Sequence, residues 1–435
     1  MTFPLMFIFM FLVLWRPQDW CMPWMYGWPF LQLITGMAVI SMAMEATQKP
    51  FYFPKTAALG LATGLWFISI FSQIAHLYFQ GLMDTIPDSF RPCFFLVMLL
   101  VVLSTPRRAQ AVMAIFAVAA LIMSYHAILQ RETGAGFMGQ PPVYEENEMT
   151  GAIMVRSMFF GIFEDPNDLA QILACTIPLV FAVPWKMNAL SFAACAGAGA
   201  YIYKALTFTE SRGGMIGLWA AAATLVFIRL PARWIPYAGI VGLGVSLVLC
   251  ATMGGKMLDE SAQERVALWG DANYAFKHNP VLGIGYGMIE EATETSRPVH
   301  NAFVTCYAEM GIIGYWFWFS LLQLGFIGCW RSLAVLKRPR TQVQVYLKRL
   351  AGMTMASLAG FAASAYFLSR TFVFPLFMLF ALANMVPVLV QNTLPEDHPP
   401  LINLRKDLFV SCTIGTVVSV FYIYATIIIF NKIIH

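Results

Sequence analysis

The chain has 435 residues, of which 59% are hydrophobic and 11% charged, with a formal net charge of +4 and a mean hydropathy of +0.68. Those proportions exclude a soluble globular protein, and apolar runs recur along the whole length with only short polar breaks. No separate soluble domain fits between them, so residues 1–435 read as one all-α, polytopic membrane domain.

The first run, Thr2 to Trp15, lacks a basic flank and a small-residue cleavage site and is followed by more spans. It reads as a retained helix, short enough that it crosses only by tilting or by thinning the bilayer. Taking it with the runs that follow, spans centre near residues 9, 37, 66, 98, 120, 175, 198, 221, 244, 316, 359, 382 and 419, which gives about 12 or 13 helices. Eight cysteines are present without CxxC spacing. Cys175, Cys195, Cys250, Cys329 and Cys412 fall inside apolar runs, where a thiol is an ordinary packing group.

With the N-terminus cytoplasmic, 15 of the 27 basic residues fall on inner connections such as TPRR and RLPAR, while 19 of the 23 acids fall on the outer side. Basic residues on short loops orient spans, so this asymmetry places two long polar segments, 130–165 and 254–305, on the outer face. Within the first of them, Gly139 to Glu148 (GQPPVYEENE) reads as a solvated acidic loop.

The outer segments carry the candidate chemistry. In FEDPNDLAQIL, Asp165 suits a helix cap, Pro166 the first helical position and Asp168 the positive end of the helix dipole. Two acids there would also suit a divalent cation, but too few further ligands accompany them, and no metal site is assigned. Arg156, just upstream, is placed to pair with Glu164 or to join an anion site. In TFTESRGGMIGL, Arg212 sits at the outer end of an apolar run, where an arginine is costly unless paired or snorkelling and marks a candidate functional site. Ser211, Gly213 and Gly214 beside it offer a helix N-terminus to an anion, against the plainer reading of an interfacial arginine paired with Glu210.

In the second outer segment, Ser261 to Glu264 has the pattern of a capping box, which predicts a helix over about 262–277. Its residues Val266, Trp269, Ala272 and Phe276 recur three to four apart, as in a helix lying on the membrane surface, and Asn279-Pro280 ends it. Arg265 lies in its first turn, where the dipole offers a cation nothing. GIGYG, Gly283 to Gly287, has no strand and crossover around it, so a dinucleotide loop is rejected in favour of a tight turn or a close backbone approach to a lipid-linked substrate. His300 and Asn301 then stand where the loop enters an apolar span. An imidazole at that boundary can take up a proton near neutral pH, or can simply hydrogen-bond the loop.

Taken in order, Arg156 with Asp165-Pro166-Asn167, Ser211 to Gly214, Arg265 with Trp269, Asn279-Pro-x-x-Gly283-x-Gly285, and His300-Asn301 before Glu309-x-Gly311 resemble the O-antigen ligase and polymerase superfamily. The similarity covers roughly Arg156 to Gly314, and its specificity lies in the order of the motifs. The resemblance implies a multi-spanning glycosyltransferase of the bacterial inner membrane whose site faces the periplasm. The donor is a polyprenyl-diphosphate-linked glycan, and the acceptor is the hydroxyl of a lipid A core, a second glycan or a protein. It further implies that Arg212 and Arg265 hold the donor diphosphate and that His300 assists the attacking hydroxyl. Arg156, Asn167, Ser211, Gly213, Gly214, Trp269 and Asn301 then line the substrate site. No metal, no cofactor and no nucleic acid are expected, while membrane lipid is. Alternatives are a polysaccharide polymerase of the same superfamily and a lipid-linked glycan transporter. The latter would carry ionisable or helix-breaking residues in mid-span, whereas here the ionisable residues gather at the outer ends.

Overall fold

The computed structural model describes residues 2–25, 27–48, 53–146, 151–234, 237, 260–293, 297–368 and 370–434. In chain order the helices are α1 (Thr2–Trp15), α2 (Pro17–Trp20), α3 (Phe30–Gln48), α4 (Ala58–Ala75), α5 (Phe79–Val102), α6 (Pro106–Thr133), α7 (Pro166–Val180), α8 (Ala189–Thr207) and α9 (Arg212–Phe227). They continue with α10 (Glu260–His278), α11 (Ile289–Ala292), α12 (Ala302–Val335), α13 (Gln342–Ala365), α14 (Phe374–Gln391) and α15 (Thr413–Ile434). Every span centre expected from the sequence falls in one of these helices except that at residue 244, which lies outside the described residues. Eight helices among the described residues are long and apolar enough to cross a membrane, and Thr2–Trp15 and Arg212–Phe227 are shorter apolar helices. The fold is all-α and polytopic.

Helix after helix reverses direction, so the connections sort onto two ends of the bundle. At one end the Thr2 amide donates to Glu45 Oε1 at 3.1 Å, Arg107 lies 3.7 Å over the Trp185 ring, and Arg331 Nη2 meets Asp407 Oδ1 at 2.7 Å. At the other end Trp20 stacks on Phe137 at 4.4 Å, Ser157 Oγ donates to the Ala127 carbonyl at 2.9 Å, and Arg131 faces Glu210 at 3.7 Å. The basic short loops share the first end. The polar segments that carry the motifs share the second.

Between residues 130 and 165 the acidic loop expected from composition is in part a hairpin: β1 (Val143–Glu146) pairs antiparallel with β2 (Ile153–Arg156), Val143 opposite Arg156. The ion pair from Arg156 to Glu145, at 2.8 Å, ties one strand to the other. Residues 147–150 lie outside the described residues.

Helix α9 packs on α13 through glycines rather than through large side chains. A Cβ on Gly217 would stand 2.7 Å from the Gly360 carbonyl oxygen, and one on Gly360 would stand 2.8 Å from that of Gly217. Backbones that approach this closely gain dispersion along their whole contact, which is the usual currency of helix association in lipid. The packing draws the N-terminus of α9, with Ser211 and Arg212, against the C-terminal end of α13.

Helix α12 is broken at Gly311, which has φ 65 and ψ −170. The break frees backbone groups inside the bundle, and in a membrane those must find protein partners. The segment Pro280 to Gly285 supplies them. Ile284 and Gly285 donate their amides to the Ala308 and Glu309 carbonyls at 3.0 and 2.9 Å, while Ile312 donates to the Pro280 carbonyl at 2.8 Å. Gly283, at φ +71, lies against the Glu309 backbone, and Gly311 lies against Val281, with no room for a Cβ at either. The close backbone approach expected within GIGYG is made by Gly283, to the backbone of α12. Helix α4 secures the loop from the other side, with His76 Nε2 2.6 Å from the Gly283 carbonyl and the Tyr286 amide donating to Ser72 Oγ at 3.0 Å.

Candidate active site

Helix α7 begins as its sequence dictates. Asp165 caps it, accepting the Asn167 amide at 2.7 Å, and Pro166 takes the first turn, where its missing N–H costs nothing. Asn167 then joins two neighbours: its Oδ1 accepts from Arg156 Nη2 at 2.9 Å and from Ser211 Oγ at 2.7 Å. Ser211 in turn caps α9, accepting the Gly214 amide at 3.2 Å.

Arg156 pairs with Glu145, not with Glu164. Its Nη1 lies 2.9 and 2.8 Å from the two Glu145 oxygens, and its Nε donates to the Thr209 carbonyl at 3.0 Å. Glu164 Oε1 instead accepts the Gly161 amide at 3.1 Å. Arg156, Asn167 and Ser211, expected at the substrate, therefore form a brace that joins the hairpin, α7 and α9. Gly214 is buried against Ala170 and Leu206, so it serves the packing of α9 on α7, and its amide is already donated to Ser211. Arg212 is exposed at the first position of α9. Glu210, the partner considered for it, faces Arg131 and holds a left-handed φ of 52.

Helix α10 runs over the expected stretch and stops at Asn279-Pro280. The side chain of Ser261 lies outside the described residues, so the capping box is not described. Glu264, its other half, pairs with Arg297. The apolar face of α10 is not laid on lipid: Val266, Trp269 and Ala272 are buried, the Phe276 ring lies 4.9 Å from that of Tyr307, and Asn273 Oδ1 accepts from the Tyr307 hydroxyl at 2.6 Å. Three-to-four spacing reports an apolar stripe but not what covers it, and here helix α12 does. Trp269 donates its indole N–H to the Val299 carbonyl at 2.7 Å. It supports the loop immediately before His300.

His300 is half-buried with a left-handed φ of 51. For a residue with a side chain that conformation is uncommon, and such outliers cluster at functional sites. The turn is locked on its far side by Asn301, fully buried, whose Oδ1 caps α12 by accepting the Phe303 and Val304 amides at 3.1 and 3.2 Å. Burial, then the positive charge of Arg265, and beyond them that of Arg370, push the His300 imidazole below its ordinary value of 6.5, against the opposing pull of Asp165 and Glu264. The ring is therefore neutral at pH 7, with a lone pair available to a proton.

Arg370 carries no motif in the sequence reading. Its Nε and Nη2 grip both oxygens of Asp168, at 2.6 Å for the shortest contact. Asp168 is thus a partner for a guanidinium more than a charge for the helix dipole. His300 lies within electrostatic reach of Arg265, Asp165 and Arg370, and Arg370 within that of Asp165. Arg212 joins the same end through Gly213, which lies beneath Phe367. Among the described residues no group of three or more His, Cys, Asp or Glu is placed to hold a metal ion.

None of the curated proteins compared with the chain matches it. The stretch that contains Ser211, Arg212, Arg265, Trp269 and His300 matches the family model described as O-antigen ligase, over residues 193–319, and in that stretch the chain is similar to an O-antigen ligase-like family.

Proposed function

We propose that the chain transfers a glycan from a polyprenyl-diphosphate carrier to an acceptor hydroxyl, at a site on the periplasmic end of the bundle in the bacterial inner membrane. A glycosyl-transferring ligase or polymerase is what the family match supports. The observation that carries the finer reading is the setting of His300: a half-buried imidazole, in a strained turn, within electrostatic reach of Arg265.

In this reading the acceptor hydroxyl gives its proton to the neutral His300 ring as its oxygen attacks the anomeric carbon. The bond from that carbon to the diphosphate oxygen breaks, and the electron pair leaves with the polyprenyl diphosphate. Attack from the face opposite the leaving group inverts the anomeric configuration. Charge builds on the leaving oxygens as the bond lengthens, and Arg265 and Arg212 neutralise it through fixed N–H donors. Guanidiniums can perform that service without a metal ion. The acceptor reaches His300 from water, and the polyprenyl tail lies in lipid beside the bundle.

The test is direct. Purified protein is incubated with a polyprenyl-diphosphate glycan and, separately, with a lipid A core, a second lipid-linked glycan or a protein acceptor, and the product is identified by mass spectrometry. Transfer to the lipid core marks a ligase, and chain extension marks a polymerase. Release of free polyprenyl diphosphate with none of these acceptors modified would count against the reading.

A further inference from the structure

The loop from Tyr366 to Thr371, between α13 and α14, touches every segment on which the candidate site is built. The Tyr366 ring lies 5.4 Å from Trp269 and 6.2 Å from Phe303, and Phe367 Cβ covers Gly213, 3.3 Å from where its Cβ would be. Thr371 Oγ1 donates to the Ala302 carbonyl at 3.3 Å, two residues past His300, while its own carbonyl accepts from Trp318 Nε1 at 3.1 Å. Arg370 sits in the middle of these ties. It is held by Asp168, and the pair is graded by depth: the Asp168 side chain is 6% exposed and that of Arg370 is 46% exposed.

A carboxylate buried to that degree is costly, and it is retained only where its partner is fixed by it. Here Asp168 takes Nε and Nη2, the two donors on one edge of the guanidinium. Nη1 has no protein partner among the described residues. The guanidinium plane is therefore set by Asp168 on a side chain that stays 46% exposed, within electrostatic reach of His300. A planar fork with one edge anchored and the other open is suited to an oxyanion that needs a donor in a fixed direction.

We propose that Arg370, oriented by Asp168, is a third guanidinium contact for the diphosphate of the donor, alongside Arg265 and Arg212. This rests on the donor named above. It adds a residue from beyond the family-matched stretch, and makes the Tyr366–Thr371 loop part of the binding site instead of a connection between spans.

Inorganic diphosphate is the probe. It is titrated into the purified full-length protein in detergent and its binding followed calorimetrically. Arg370→Gln alone would strand a buried carboxylate, so the variant of choice is Arg370→Gln with Asp168→Asn, a neutral pair of similar shape. Its melting temperature is measured beside that of the wild type, and Arg265→Gln serves as the reference. The expected result is a loss of about tenfold or more in diphosphate affinity for both variants, as for a lost charge-assisted contact. Asp168→Asn alone keeps the cation and should fall between wild type and the double variant. Wild-type affinity in the double variant, with Arg265→Gln weakened, would overturn the role of Arg370 and leave the donor reading intact. Failure of the wild type to bind diphosphate would overturn both.

Discussion

The indole N–H of Trp269 donates to the carbonyl of Val299 at 2.7 Å, so the residue before His300 hangs from the helix that carries Arg265. His300 and Arg265, the proposed base and anion-binding group, are thereby held in one frame, with Trp269 itself buried to 5% exposure. Trp269→Phe keeps the ring and removes the donor, leaving a buried carbonyl without its partner. The stability cost should be about 1–3 kcal/mol. Turnover should drop more than donor KM rises, because Arg265 stays while the His300 turn loosens. Thermal melting and steady-state rates on the same preparation check both, and unaltered turnover in a protein with a lowered melting point would make Trp269 a packing residue alone.

The break in α12 gives a second prediction. Gly283 and Gly311 combine positive φ with backbone contact, whereas Gly287, at φ +75, faces open space. An alanine at Gly287 meets only the strain of the left-handed conformation, about 1–2 kcal/mol. At Gly283 or Gly311 the same change also forces the 280–285 loop away from α12 and strands the amides it satisfies. Gly287→Ala should therefore accumulate in the membrane at near-normal levels, while Gly283→Ala and Gly311→Ala accumulate poorly. Equal levels of all three, read by immunoblot and detergent melting curves, would show that the wedge is dispensable.

Arg156 and Arg265 should separate in the same way. Arg156 spends its donors on Glu145, Asn167 and Thr209, so Arg156→Lys should lower the melting temperature and leave donor KM within about twofold. Arg265→Lys keeps the charge, loses the fork, and should cost most of the activity in a protein that melts normally. The reverse pattern would return Arg156 to the substrate site.

The span positions were readable from apolar runs because a bilayer needs about 20 such residues and the chain has few other uses for them. The cap at Asp165 was equally plain, since a helix start is a local event, whereas Asn301, expected at the substrate, is the cap of α12. What covers a helix is not local: the stripe of Val266, Trp269 and Ala272 looked fit for a lipid surface and is in fact closed by protein. Arg370 was missed for the same reason. Its partner Asp168 lies 202 positions earlier, no motif spans that distance, and only the folding of α13 beside α7 shows why the acid after Asp165-Pro166-Asn167 is there. The glycines of GIGYG and Glu309-x-Gly311 were visible as two separate signals, but that each makes room for the other is a property of the broken helix.

His300 supplies the sharpest test of the chemistry. Burial and the nearby guanidiniums hold its pKa below 6.5, so the neutral base persists to lower pH than a free histidine would allow. The acid limb of kcat/KM should accordingly fall below pH 6.5. The stability linkage has a definite sign: between the lowered native value and the ordinary one, the unfolded chain binds more protons than the folded chain. The contribution of this group to stability therefore rises with pH across that interval and is level above it. His300→Gln should abolish that slope. It should also reduce transfer by about 10²- to 10⁴-fold, as should His300→Ala, because an amide can keep a hydrogen bond but cannot take the hydroxyl proton at neutral pH. Binding of inorganic diphosphate should survive in both variants, since the arginines are untouched. If His300→Gln turns over at a near-normal rate with a flat profile from pH 6 to 8, the ring orients the acceptor or closes the loop, and the base must be sought elsewhere on the outer end of the bundle.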